Sequence, residues 1–389
     1  MTYSLIFLTS STINKRLIES LYPYSNNDLI KNIVFFSTQN YLGNKLSLME
    51  TKNDIIKHKV IYSNSKSHTI KYIENIKKNA LVINDLNINY ENKFIFDTCI
   101  RNKVNTGFLI WDYTANRKKD IQEKIFLGIK YPLQTIKYLL KSKKINLINF
   151  TPKVMFCAGS YSYNKYSKLR GKSNIIKAYH PDYSKYIKSK NPVDTIINKP
   201  YAVLIGDVWP ELHPDQISNN VFPKNKIFDY DYEIKMLTFL KNLKKVTNLE
   251  IIISKHPRGN YSPIIDKECK FYKNKKTADL VNGSSLVIIT SSNAINFALL
   301  NSKPIIFYKY EGFSYNHKRQ ILSSAKFFDK NVFNISNEIF TKKRYDMEKK
   351  INHLKYSEYI DKYIIEYDLI LKNNDNIYNF YEQYFLQNK

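Results

Sequence analysis

The sequence predicts an α/β protein made of two open, mostly parallel sheets. Three observations predict it. Short apolar runs alternate with amphipathic helical segments along most of the chain. That rhythm weakens between about Gly159 and Lys199, then starts again at Tyr201. And 389 residues exceed one ordinary core, so two domains of about 150–200 residues each are expected.

The elements follow in order. Tyr3–Thr9 reads as a first strand, and Ser10, Ser11 and Thr12 sit where they can cap a helix over Ile13–Leu21. Further strands are expected at Ile33–Ser37, Val60–Tyr62, Ala80–Ile83, Phe94–Phe96 and Phe108–Trp111, with a helix over His68–Lys78. A long helical tract, Ile121–Leu140, is interrupted at Pro132. Ile145–Phe150 and Val154–Cys157 read as two more strands. The Tyr-, Ser- and Lys-rich stretch that follows is taken as the crossing between domains, and His180-Pro181-Asp182 within it as a turn.

The second alternation has strands at Tyr201–Ile205, Leu249–Ser254, Leu286–Thr290 and Ile305–Tyr308. Helices are expected at Tyr232–Lys244, Thr277–Asn282 and Asn293–Leu300, and the chain turns helical again from about Asn337. The organisation expected is therefore a domain over 1–195, a second over 200–335, and terminal helices over 336–389 that pack back on the first. Two such domains with facing carboxyl edges enclose a cleft, the usual place for a ligand.

Composition narrows the class less than the pattern does. A hydrophobic fraction of 43% with 14% aromatics fits packed domains. A formal charge of +27 points to an anionic partner. However, the lysines are scattered through a chain also rich in Asn, Ile and Tyr, a general compositional bias. With no clustered arginine patch or recognisable motif, nucleic acid is not expected as the partner. The three cysteines, Cys99, Cys157 and Cys269, form no Cys-x-x-Cys pair and suit buried thiols in a reducing compartment. The amino terminus has no basic leader, and no apolar run approaches a membrane span. A cytoplasmic protein is expected, with peripheral contact at the inner face of the membrane.

Three loops carry the chemistry. After the strand ending at Ser254 comes Lys255-His256-Pro257-Arg258. A histidine presented by a stiff proline turn, with Lys255 and Arg258 nearby, can stabilise charge developing on a phosphate oxygen. A plain exposed turn is the competing reading. After the strand ending near Ile289 comes Thr290-Ser291-Ser292-Asn293. One such residue suffices to cap a helix, and four are present. Free amides and hydroxyls at a helix start also suit an anion, so the two loops together read as a phosphate clamp at one sheet edge. A third loop, Gly206-Asp207-Val-Trp-Pro-Glu211-Leu-His213-Pro-Asp215, follows the strand Tyr201–Ile205. Gly206 allows close backbone approach to a ligand, and Asp207, Glu211, His213 and Asp215 can bind its hydroxyls or assist proton transfer, with a capped surface turn as the competing reading. No helical His spacing supports a metal there, so neither metal nor other cofactor is expected.

The His-Pro loop, the Ser-Ser pair beyond it and the Pro304-Ile305-Ile306-Phe307 strand resemble bacterial GT-B glycosyltransferases. The pattern is most similar to the groups that use CMP-activated acidic sugars, the sialyltransferases and Kdo transferases. The resemblance covers roughly residues 200–310. It implies two Rossmann-like domains and an inverting, metal-independent transfer from a nucleotide sugar to a glycan or glycolipid acceptor. His256, Ser291 and Ser292 carry over as the residues that hold the CMP phosphate. That family also has an acidic pair followed by glycine in the first domain, supplying the general base, and no such triplet occurs here. Asp112, at the end of the Phe108–Trp111 run, is the nearest candidate, with Asp85 and Asp97 as rivals. Ser10 and Ser11 are candidates for acceptor contact. Polyol-phosphate transferases that use CDP-linked donors have a similar His-Pro, so the donor stays open between the two.

Overall fold

The computed structural model describes residues 3–9, 30–38, 59–84, 86, 92–111, 150–167, 172–190, 197, 199–205, 230–254, 269–272, 276–372 and 384. They fall into two compact units. The first holds the strands up to residue 178 together with residues from Ile365 onward, and the second runs from Asp182 to Ile364.

The first unit is a seven-stranded sheet. Its strands are β1 (Tyr3–Thr9), β2 (Ile30–Ser37), β3 (Lys59–Tyr62), β4 (Ala80–Asn84), β5 (Thr106–Ile110), β6 (Val154–Ala158) and β7 (Asn174–Ala178). Their order is β3-β2-β1-β4-β5-β6-β7, and every pairing is parallel. The apolar run of β1 explains its central place. Leu5 and Phe7 point into one core with Phe35, Leu81, Ile83 and Phe156, while Ile6 and Leu8 point into another with Phe36, Val82, Ile95 and Cys99. A strand whose alternate side chains are buried on both faces has no solvent face to keep polar. Each such side chain stabilises the fold by roughly 1.5–3 kcal/mol relative to exposure.

Helices cover the sheet between strands. Helix α1 (Lys66–Glu74) starts at Ser65, whose hydroxyl accepts from the His68 amide at 3.1 Å. Helix α2 spans Lys93–Arg101 and overturns the strand expected at Phe94–Phe96. The run of three apolar residues fits either period, and burial of Ile95, Phe96, Thr98 and Cys99 is the helical pattern. The stretch 159–199, expected as a crossing, carries α3 (Gly159–Tyr166), strand β7 and α4 (Pro181–Ser189). His180 and Asp182 are buried at the start of α4 and do not form a surface turn. The helices expected at Ile13–Leu21 and Ile121–Leu140, and most of the strand expected at Ile145–Phe150, lie outside the described residues. Tyr384 packs in the first core, and Glu366 pairs with Lys177 of β7.

The second unit is a six-stranded sheet of order β10-β9-β8-β11-β12-β13, again all parallel. Its strands are β8 (Tyr201–Ile205), β9 (Glu250–Ser254), β10 (Lys270–Phe271), β11 (Leu286–Ile289), β12 (Ile305–Lys309) and β13 (Val332–Asn334). Helix α5 (Tyr230–Thr247) ends at Asn248, whose φ of 57° turns the chain into β9. Then come α6 (Thr277–Gly283), α7 (Ile295–Leu300), α8 (Tyr315–Phe327), α9 (Lys342–Glu348), α10 (His353–Tyr359), a π-turn at Ile360–Ile364 and α11 (Tyr367–Lys372). The side chains of β8 and β11 are all buried. Cys99, Cys157 and Cys269 are buried and form no disulfide among the described residues. Among the described residues, no helix is long and apolar enough to cross a membrane.

Candidate functional site

In the second sheet, the chain proceeds from β8 outward to β9 and β10, then returns to the other side of β8 as β11. The gap between β8 and β11 is thus a topological switch point, where crossovers on opposite faces leave a crevice at the carboxyl edge. Ile205 at the end of β8 pairs in register with Ser254 of β9 on one side and with Ile289 of β11 on the other. The strands preceding Lys255 and Thr290 therefore end level. They are second neighbours across β8, about 10 Å apart at the usual strand spacing of about 4.8 Å.

Of the residues predicted for the site, Thr290, Ser291, Ser292 and Asn293 are described. Asp112, Gly206, Asp207, His213, Lys255, His256, Arg258, Ser10, Ser11 and the alternative base Asp85 lie outside the described residues. Asp97 is described and does not end a strand. It lies on α2, half-exposed and paired with Lys93 at 2.6 Å, so its placement no longer matches the strand-end position proposed for a base.

The β11 exit sorts its hydroxyls by role. Thr290 is fully buried. Ser292 accepts from the Ala294 amide at 3.3 Å, and its carbonyl accepts from Ile295 at 3.1 Å. Ser292 thus builds the turn into α7, which begins at Ile295 rather than at the expected Asn293 because a turn at Asn293-Ala294 intervenes. Ser291 has no part in that turn. Its Oγ lies 3.3 Å from Nδ1 of His317 and 3.5 Å from Oε1 of Gln320. A cavity of about 10 Å³, lined by Ser291, Ser292, Ser324, Phe328 and Tyr359 among others, has room for about one water. It is a packing void beneath the loop and cannot hold a nucleotide.

His317 was not among the predicted residues. It lies on α8, where Ser314 caps the helix by accepting from the His317 amide at 3.2 Å. His317, Ile321 and Ala325 form the buried stripe of that helix, a spacing of four that marks one face. The ring is only 3% exposed and stands edge-on to Phe313, with centroids 4.8 Å apart. Burial pushes its pKa down to about 4, so the imidazole is neutral at pH 7. Nδ1 meets Ser291, while Nε2 has no hydrogen-bond partner among the described residues. The cap and stripe are readable in the sequence. That His317 lies beside Ser291 is not.

Four further contacts fix the surroundings. Asn296 in α7 donates to the buried Asp182 at 3.0 Å, tying α7 to α4. Beyond β12, Tyr310 donates to Asp231 at the start of α5 at 2.9 Å. Glu311 accepts from Lys318 at 3.2 Å and from Asn334 at 2.8 Å. The Lys318 ammonium holds the Glu311 carboxyl below the usual carboxylate range. Among the described residues, no group of His, Cys, Asp and Glu could hold a metal ion.

No protein-family model and no curated protein matches this sequence. Solved structures do match it in shape. One from Listeria monocytogenes, described as a UDP-N-acetylglucosamine 2-epimerase, aligns over 98% of this chain and 98% of its own, with a TM-score of 0.52 and 9% identity. The fold is that of the GT-B class. A glycosyltransferase from Rickettsia africae aligns over 97% of this chain and 98% of its own, at 14% identity and a TM-score of 0.45. A variant of the wall teichoic acid polymerase TagF aligns over 95% and 88%, at 11% identity and 0.45. At such identities the likeness is one of fold. The two parallel sheets are the shared feature.

Proposed function

We propose that the protein is a glycosyltransferase that binds a nucleotide sugar at the carboxyl edge of its second sheet. The observation that carries the reading is that β9 and β11 end level on either side of β8 at a switch point. Each of those strands is followed directly by a sequence motif suited to a phosphate, His256-Pro257-Arg258 and Ser291-Ser292. A CMP-activated acidic sugar is the favoured donor, by the resemblance of those two motifs. The acceptor is a glycan or glycolipid of a bacterial surface polysaccharide, such as capsule, O-antigen or lipooligosaccharide, carried at the inner face of the membrane. The formal charge of +27 suits such a surface.

The chemistry follows from the charge that must be stabilised. As the anomeric carbon–oxygen bond breaks, the bonding pair stays on the phosphate oxygen of the departing CMP. His256, Arg258 and the Ser291 hydroxyl donate hydrogen bonds to that oxygen and its neighbours. The acceptor hydroxyl attacks from the opposite face, inverting the centre, and gives its proton to a carboxylate, with Asp112 in that role. Charge stabilisation by fixed donors requires no metal.

Thermal unfolding in the presence of CMP, CDP, UDP and GDP tests the donor. A saturating ligand at about 100 times its Kd stabilises by about 2.7 kcal/mol, and CMP is expected to give the largest shift. Stabilisation by UDP alone overturns the CMP assignment, and stabilisation by none of the four overturns the reading. The competing polyol-phosphate transfer also releases CMP, from a CDP-linked donor, but leaves phosphate in the product, which mass spectrometry detects.

A further inference from the structure

The proposed donor site contains a serine whose proton has only a long contact to Gln320 to go to, and a buried histidine whose side chain takes no part in any turn or cap on α8. A hydroxyl has one proton and two lone pairs. Ser291 contacts two groups, the Nδ1 of His317 at 3.3 Å and the Oε1 of Gln320 at 3.5 Å. An amide oxygen can only accept, so for both contacts to be hydrogen bonds the Ser291 proton goes to Gln320 and His317 supplies a proton of its own from Nδ1. Only the Nδ1–H tautomer satisfies both contacts. It leaves Nε2 as an unprotonated lone pair, buried without a hydrogen-bond partner among the described residues, and the same burial keeps the ring neutral.

The distances differ in consequence. The contact to Gln320 lies at the outer limit of a hydrogen bond, so it holds the proton weakly. An anionic oxygen arriving at the β11 edge offers a shorter, charge-assisted bond. Were His317 in its other tautomer, it would accept the serine proton and leave the hydroxyl oxygen facing the anion lone pair to lone pair.

We infer that His317 is a positioning residue: its Nδ1–H donates to Ser291 Oγ and so commits the serine to donating its own proton to the donor phosphate. This deepens the glycosyltransferase reading and rests on it. It also accounts for a polar ring on the buried face of α8, where Ile321 and Ala325 are otherwise apolar.

Three measurements on the full chain test it. First, 15N NMR of the histidine-labelled protein at pH 7 is expected to find Nδ1 of His317 protonated and Nε2 bare. The reverse assignment overturns the inference whatever the protein binds. Second, CMP affinity by calorimetry, with UMP as a second probe, is compared for Ser291→Ala, His317→Leu and the double variant. Each single change is expected to weaken binding by about tenfold and the double by no more than either, because both remove one donated bond. Multiplicative losses, or wild-type affinity in a folded His317→Leu, overturn it. Third, His317→Asn places an amide N–H near the former Nδ1 and is expected to restore affinity to within about threefold of wild type. A merely space-filling histidine predicts that Leu restores better than Asn, which again overturns the inference. If wild-type protein binds none of CMP, CDP, UDP and GDP, the donor reading falls and takes this inference with it. Binding with independent variant effects sinks the inference alone.

Discussion

The two sheets have the same plan and dispose of their polar residues differently. In the first, β1 and β4 flank the switch point as β8 and β11 do in the second. At the end of β4, Asn84 turns back on its own backbone. Its Nδ2 donates to the Leu86 carbonyl at 3.1 Å and its Oδ1 accepts from the Leu86 amide at 3.3 Å. That side chain builds a turn and its hydrogen bonds are closed. At the end of β11, Ser292 does the same local work, while Ser291 reaches a side chain on α8, 26 residues further along the sequence. The lesson is one of satisfaction. A polar group tied into its own turn is architecture, whereas Ser291 is oriented by a buried partner on another element, the arrangement on which the proposed donor site rests.

The comparison breaks most sharply at His256. Replacement by alanine is expected to reduce transfer by about a thousandfold, the scale of losing one preorganised donor, with the unfolding temperature unchanged. Wild-type turnover in that variant removes the chemical half of the contrast.

Acid provides the next largest effect. The His317 imidazole titrates near 4 in the folded protein and near 6.5 when unfolded, so the unfolded chain binds the proton more readily between those values. The stability this neutral ring contributes is complete above about pH 6.5 and is lost as pH falls through about 4. His317→Leu is expected to be less sensitive to acid than wild type over that window, by up to about 3 kcal/mol at 1.36 kcal/mol per pKa unit. Urea denaturation at pH 7, 5.5 and 4 measures it. Parallel losses in both proteins show that the ring is not held neutral.

The smallest effect separates the two switch points directly. Asn84→Ala is expected to lower stability by about 1–3 kcal/mol and leave CMP affinity as it was. Ser291→Ala is expected to do the opposite, with little change in unfolding and weaker binding. A common response in both variants erases the distinction.

Much of the scaffold was legible because its signals are local. Ile251–Ile253 and Leu286–Ile289 are unbroken apolar runs ended by polar residues, and the strands expected at Leu249–Ser254 and Leu286–Thr290 match β9 and β11 within a residue at each end. Strand β7 was not legible. As an edge strand it buries only part of Asn174–Ala178, so it lacks the apolar run that marks a central one. Helix α2 was misread because three apolar residues in a row do not distinguish a period of two from one of 3.6. At the site, the Ser-Ser pair could be found from residue type, but Ser292 and Ser291 could not be told apart until their partners were known.

By itself, then, the sequence determined the alternation of strand and helix, the burial of the central strands, and the two polar motifs that follow β9 and β11. Those depend on side-chain chemistry within a few residues, where the chain's own connectivity sets the geometry. Tertiary structure alone decided that those strands end level across β8 and that α8 places His317 against Ser291. Strand order and helix docking are set by how whole apolar faces pack, and no short stretch of sequence contains that information.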